Sequence, residues 1–262
     1  MYASVTAVQS PKRRKRSQLA EIWRRYRKNK LAMLGLIVFL AMAALAILVS
    51  IFGNYESAIG QTMQMRYLPP SLEHLFGTDQ YGRDIFMRML FGARISLFVG
   101  LIAVAISLSA GALIGAVAGY YGGRVDDIFM RIMDIFLAIP STLLAISIVA
   151  ALGTNLLNLL LAMAISYMPS FARIVRSSIL TVKSQEYIEA ARACGTSTFR
   201  IILRHIIPNA MGPIIVQATL TVARIILGIS SLSFVGLGIQ PPTPEWAPCF
   251  PRGRARCGII PI

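Results

Sequence analysis

Four long stretches without a single charged side chain, at 31–55, 95–123, 135–172 and 225–244, divide this chain. About 20 apolar residues wound as a helix cross the roughly 30 Å hydrocarbon layer of a bilayer, each adding about 1.5 Å. Turn-forming residues subdivide the stretches into five expected spans, at about 31–52, 95–120, 128–152, 156–174 and 213–237. Gly122-Gly123-Arg124 and Gly153-Thr154-Asn155 make short turns between them. The expected fold is all-α and polytopic, with a polar arm at 1–30, a long polar segment at 53–94, a second at 173–208 and an atypical tail at 239–262.

Charge gives these segments their sides. Ten of the 26 Lys and Arg precede residue 31, including Lys12-Arg13-Arg14-Lys15-Arg16, and a basic cluster beside a first span holds that side in the cytoplasm. Segment 173–208 carries Arg173, Arg176, Lys183, Arg192, Arg200 and Arg204 against Glu186 and Glu189, so it falls on the same side, whereas the charges of 53–94 balance, as expected outside. The net charge of +15 is therefore read as topogenic and lipid-facing rather than as a nucleic-acid surface. The first apolar run starts late and is long enough to span, unlike a cleavable leader. Three cysteines without a CxxC and two histidines give neither a disulfide framework nor a zinc site, and no cofactor is expected.

Within the spans, Gly111, Gly115 and Gly119 recur at every fourth residue and let a neighbouring helix backbone approach closely, whether in a transport bundle or in ordinary packing. Asp134 stands on the same face as Arg131, a possible snorkelling pair, and Arg224 lies deeper, where a lone charge needs a wet cavity or a partner. Pro140 and Pro169 interrupt backbone hydrogen bonding and are tolerated where neighbours or water satisfy the freed groups.

The segment Glu189-Ala190-Ala191-Arg192-Ala193-Cys194-Gly195 reads as the end of one short helix with Gly195 as its stop. Thr196 or Ser197 opens a second helix over Thr198 to His205, bounded by Pro208. Two helices meeting at a glycine form a compact knob below the membrane; the alternative is a pair of amphipathic helices lying on head groups. Glu189, Ala190, Ala191, Gly195 and Pro208 in this spacing resemble the EAA loop of permease subunits of bacterial binding-protein-dependent ABC importers. The strings 76–84, 93–97, 204–209 and 232–238 (Leu232-Ser233-Phe234-Val235-Gly236-Leu237-Gly238) are similar to the dipeptide, oligopeptide and nickel branch, with likeness over about 20–246. The resemblance implies a second permease subunit, two cytoplasmic ATP-binding subunits that receive the EAA loop, and an external substrate-binding protein. Glu189 would contact the ATPase or cap its own loop. The chain lacks a Walker A sequence, so it is not expected to be an enzyme, and ATP chemistry is expected in trans.

Members of that family continue into a sixth span, whereas the tail after Trp246 has no 20-residue apolar run and carries Arg252, Arg254 and Arg256. Back-translation one base late permits a family-like continuation, so a frameshift, and with it a truncated and inactive copy, is an expectation. Two other function classes compete with the importer subunit. A secondary transporter or channel predicts intramembrane carboxylates and an internal repeat, of which only Asp134 is visible. A membrane enzyme needs a polar constellation, which His74 and His205 on opposite sides do not make.

Overall fold

The computed structural model describes residue 24 and residues 26–53, 55–239 and 243–246. The chain divides into two compact units, 1–45 and 46–262, considered separately. In the first, most of the basic arm lies outside the described residues. Arg24, Tyr26, Arg27 and Lys28 are exposed. The Asn29 carboxamide accepts from the backbone N–H groups of Leu31 and Ala32 at 3.1 and 3.2 Å, capping helix α1, Lys30–Phe52. Leu34, Ile37, Leu40 and Leu45 are all exposed, as on a helix apolar all round that meets lipid.

The second unit holds the end of α1, then α2 (Tyr55–Ile59), α3 (Ile85–Tyr121), α4 (Gly123–Ala138), α5 (Ser141–Leu152), α6 (Leu156–Lys183), α7 (Glu186–Ala193), α8 (Thr198–Ile201), a π-turn at Ile202–Ile206, and α9 (Ile207–Phe234). Among the described residues, four helices are long and apolar enough to cross a membrane, and the bent pair α4 and α5 makes a fifth span if counted as one. The expected third span is therefore not straight. Pro140 disfavours helical backbone at the preceding residue, Ile139 takes an extended conformation (φ −94°, ψ 127°), and the two halves meet at 87°. Pro169, by contrast, is buried inside an unbroken α6.

The second departure is at Pro208. The helix expected to stop there instead runs on through the π-turn into α9, with Pro208 exposed in its opening turn and Pro213 inside it. The wider π-turn, in which the Ile207 N–H reaches the Ile202 carbonyl, makes room for a ring that would clash in a regular helix. Similarly, α6 continues to Lys183, so Arg173 and Arg176 are helical residues.

Packing centres on α3 against α6, with α9 and α5 closing around them. One buried cluster joins Val99 and Ala103 of α3, Val149 of α5, Leu159 and Met163 of α6, and Ile225 and Ile229 of α9. A second, toward the end charge assigns to the cytoplasm, joins Val175, Ile179 and Val182 of α6 with Ile188, Ile201, Ile206 and Ala210. Where α3 passes α6, a β-carbon added at Gly111 would lie 2.7 Å from the Met168 carbonyl oxygen. One at Gly115 would meet the Ala172 carbonyl oxygen, and one at Gly119 would lie 3.1 Å from that of Arg176. The glycine stripe is thus a backbone-to-backbone seam between these two helices.

Candidate functional site

The knob is built by local chain chemistry. Helix α7 ends at Ala193, and Gly195 takes a left-handed φ of 72°, which a β-carbon would oppose. Its N–H donates to the Arg192 carbonyl at 2.9 Å and that of Thr196 to the Ala191 carbonyl at 3.1 Å, the paired bonds of a Schellman end. Glu189, Ala190 and Gly195 are exposed, whereas Ile188 is fully buried and Ala191 packs against the second cluster. Glu189 makes no side-chain hydrogen bond or ion pair among the described residues. Pro208 lies on α9 rather than on the knob itself.

The underside of the knob touches three helices. Ile188 packs with Val175, Ile179 and Val182 of α6. The Arg192 guanidinium lies 5.8 Å from the ring centre of Tyr120 at the end of α3, a ring also faced by the Lys183 ammonium at 5.5 Å. The Asn209 amide of α9 donates to the Tyr187 hydroxyl at 3.2 Å. The knob is thus in contact with α3, α6 and α9 at once.

The ionisable groups noted in the spans do not come together. Asp134 pairs with Arg173 of α6 at 2.7 Å, not with Arg131; both partners are more than half exposed. One helical turn further along α6, Arg176 grips Asp126 with both arms of its guanidinium. These two pairs rivet α4 to α6, and sequence spacing did not reveal them because each joins residues 39 or 50 positions apart. Arg224 is exposed on α9, and its guanidinium has no partner among the described residues. Placing such a charge against lipid near mid-bilayer costs about 3 kcal/mol on insertion scales and more in simulation.

At the opposite end, the string 76–84 noted for its resemblance holds a charge cluster whose pairing the sequence did not reveal. Asp79 and Arg83 are buried together, with the guanidinium donating to one carboxylate oxygen at 2.9 and 2.7 Å. The other oxygen accepts the backbone N–H groups of Tyr81 and Arg83 at 2.8 and 3.1 Å. Burial pushes the Asp79 carboxyl up, but the hydrogen bonds from Arg83 and Tyr81 and the Arg83 charge outweigh it and hold it below its ordinary value. Asp84 caps α3 through the Met87 N–H at 3.0 Å and meets His74 at 2.9 Å. A nearby strap, 243–246, is pinned to α3 by the Trp246 indole donating to the Met89 carbonyl at 2.8 Å, while Glu245 accepts from the Ser233 hydroxyl. Burial is the main cause that pushes the Glu245 carboxyl up to about 7, against hydrogen bonds from Ser233 and the Ile239 backbone. The tail beyond Trp246, with Cys249 and Cys257 and the expected frameshift, lies outside the described residues.

A short α7 thus lies against three of the helices of an apolar bundle. Residues 111–251, covering α7 and the spans flanking it, match the family model of the binding-protein-dependent transport system inner membrane component. The chain belongs to that family. Residues 17–70 of this permease match the N-terminal TM domain of oligopeptide transport permease C. It is 44% identical over 237 residues to the dipeptide transport system permease protein DppC of Bacillus subtilis (strain 168), covering 90% of this chain and 74% of that one. The oligopeptide transport system permease protein OppC of the same organism is 43% identical over 222 residues, 85% and 72% of the two chains. The glutathione transport system permease protein GsiD of Escherichia coli O6:K15:H31 (strain 536 / UPEC) is 42% identical over 241 residues, 92% and 80% of the two. The permease is thus a multi-pass inner-membrane transport component and not an enzyme.

Proposed function

We propose that this permease forms half of the translocation pathway of a peptide-class ABC importer and receives the force of ATP binding through α7. A second permease subunit supplies the other half, two cytoplasmic ATP-binding subunits grip the knobs, and an external binding protein delivers cargo. The peptide class rests on the relatives, whose names specify dipeptide, oligopeptide and glutathione transport.

One observation carries the coupling role. The Glu189-Ala190 surface of α7 is exposed and makes no polar contact of its own, while the opposite surface is clamped to α3, α6 and α9. A surface that only packed against its own bundle would need no such outward face, and a head-group-lying helix would place its apolar residues outward rather than burying Ile188 in protein. Closure of the ATPases on α7 would tilt the three helices as a group, and the glycine seam between α3 and α6 keeps that pair rigid while it moves.

Gly195→Val tests the coupling. With wild-type chain, the ATP-binding subunits co-purify and vesicles accumulate peptide with ATP. With the variant inserted in the membrane at equal amount, both are expected to fall about tenfold or more, since a β-branched residue resists the left-handed backbone that shapes the knob. Unchanged co-purification and uptake would remove α7 as the docking element.

A further inference from the structure

We infer that a polar stripe on α9 lines the pathway and that Arg224, at its middle, binds the terminal carboxylate of a passing peptide; this rests on the peptide-importer reading. Arg224 stands ten residues, about 15 Å, from Phe234 at the outer end of α9, about half the hydrocarbon thickness. Arg83, Arg173 and Arg176 each sit on an aspartate, but among the described residues Arg224 has no such partner. Lipid phosphates lie too far away at this depth for a side chain near the mid-plane.

The neighbours of Arg224 on the helix indicate what it faces. Gln217, Arg224 and Ser231 recur every seven residues, which keeps them on one line with a drift of about 20° per step. Gln217 donates to the Thr221 hydroxyl at 3.4 Å, and the Tyr167 hydroxyl of α6 donates to the Arg224 carbonyl at 3.4 Å. Followed inward, the line reaches Pro213 and an open groove of about 230 Å³, where Ser177, Ser178 and Thr181 of α6 face Asn209 of α9. Leu220 and Leu227, one turn to either side of Arg224, are exposed, so Arg224 interrupts an apolar face, and a charge at that depth needs water or a polar partner rather than lipid. A peptide presents a carboxylate whose two oxygens match the guanidinium fork.

The test uses the assembled transporter in vesicles with its binding protein, ATP, and two probes, trialanine and trialanine amide. Uptake by Arg224→Gln and Arg224→Lys is divided by wild-type uptake of the same probe, which cancels any preference of the binding protein. The expected result is that Arg224→Gln lowers trialanine uptake about tenfold while changing the amide less than twofold, with Arg224→Lys intermediate. Equal losses for both probes, or no loss, would overturn the carboxylate assignment while leaving the importer reading intact. Failure of both variants to assemble with the second permease subunit would overturn it in favour of an intersubunit contact. If wild type itself moves neither probe, the peptide reading fails and takes this inference with it.

Discussion

The loop around Asp79 and the knob around Gly195 are both short polar excursions between apolar helices, and they handle their charges in opposite ways. At the outer end, Arg83 is turned inward onto Asp79 and almost fully buried, and Asp84 is shared between His74 and the first turn of α3. At the inner end, Glu189 points outward without a partner of its own, and the knob is held by Ile188 and by Arg192 over Tyr120. A loop that satisfies its own charges has a fixed shape and offers neighbours a rigid surface. A knob that leaves them unsatisfied offers them to something else. On the proposed function, the difference separates a structural brace from a docking element, although the two have similar polarity in the sequence.

Breaking the outer brace should cost most. Asp79→Ala leaves the Arg83 guanidinium buried without its counter-charge, and loss of one member of such a pair costs about 3–5 kcal/mol. Thermal unfolding in detergent is expected to show a large drop, with ATPase co-purification of the remaining folded protein unchanged. A fall in co-purification with no change in thermal stability would reverse the assignment of brace and knob.

Next is the strap beside the brace. Glu245 holds its proton in the folded state up to about pH 7, against an ordinary 4.5 when unfolded. The folded state therefore binds the extra proton between these values, so stability is greatest below 4.5 and declines as pH rises through 7. The decline amounts to roughly 3 kcal/mol. Melting temperatures from pH 4 to 8 should follow that slope, and Glu245→Gln should flatten it; an unaltered slope in the variant would assign it to other groups.

At the knob, Gly195→Ala forces a β-carbon into left-handed backbone at about 1–2 kcal/mol. Because the knob is peripheral, the expected outcome is reduced coupling with little change in melting temperature, the converse of Asp79→Ala. Smallest of all is Asp134→Ala, since its pair with Arg173 is exposed on both sides and worth at most about 1 kcal/mol. Thermal unfolding should scarcely register it.

These contrasts show where the sequence was informative. Uncharged runs of 20 residues are local, so the apolar helices could be read directly, apart from the bend in the third span. So could the knob's glycine, since a helix former followed by Gly195 is a local stop signal. Pairings between distant elements could not be read: Asp126 with Arg176, Asp134 with Arg173 and Trp246 with Met89 each depend on how helices lie against one another. Proline was legible only as a disturbance. Pro140 bends the chain by 87°, Pro169 leaves α6 whole, and Pro208 is absorbed by a π-turn, with the outcome set by the neighbours of each.

The central claim, that the exposed face of α7 is where the ATP-binding subunits seat, can be tested at Cys194, an exposed thiol at the tip of the knob. With Cys249 and Cys257 changed to serine, maleimide labelling of Cys194 would be timed in membranes with and without the ATP-binding subunits. Strong slowing of labelling when they are bound, reversed when they are stripped away, is the predicted result. Equal labelling rates in both conditions would contradict the account.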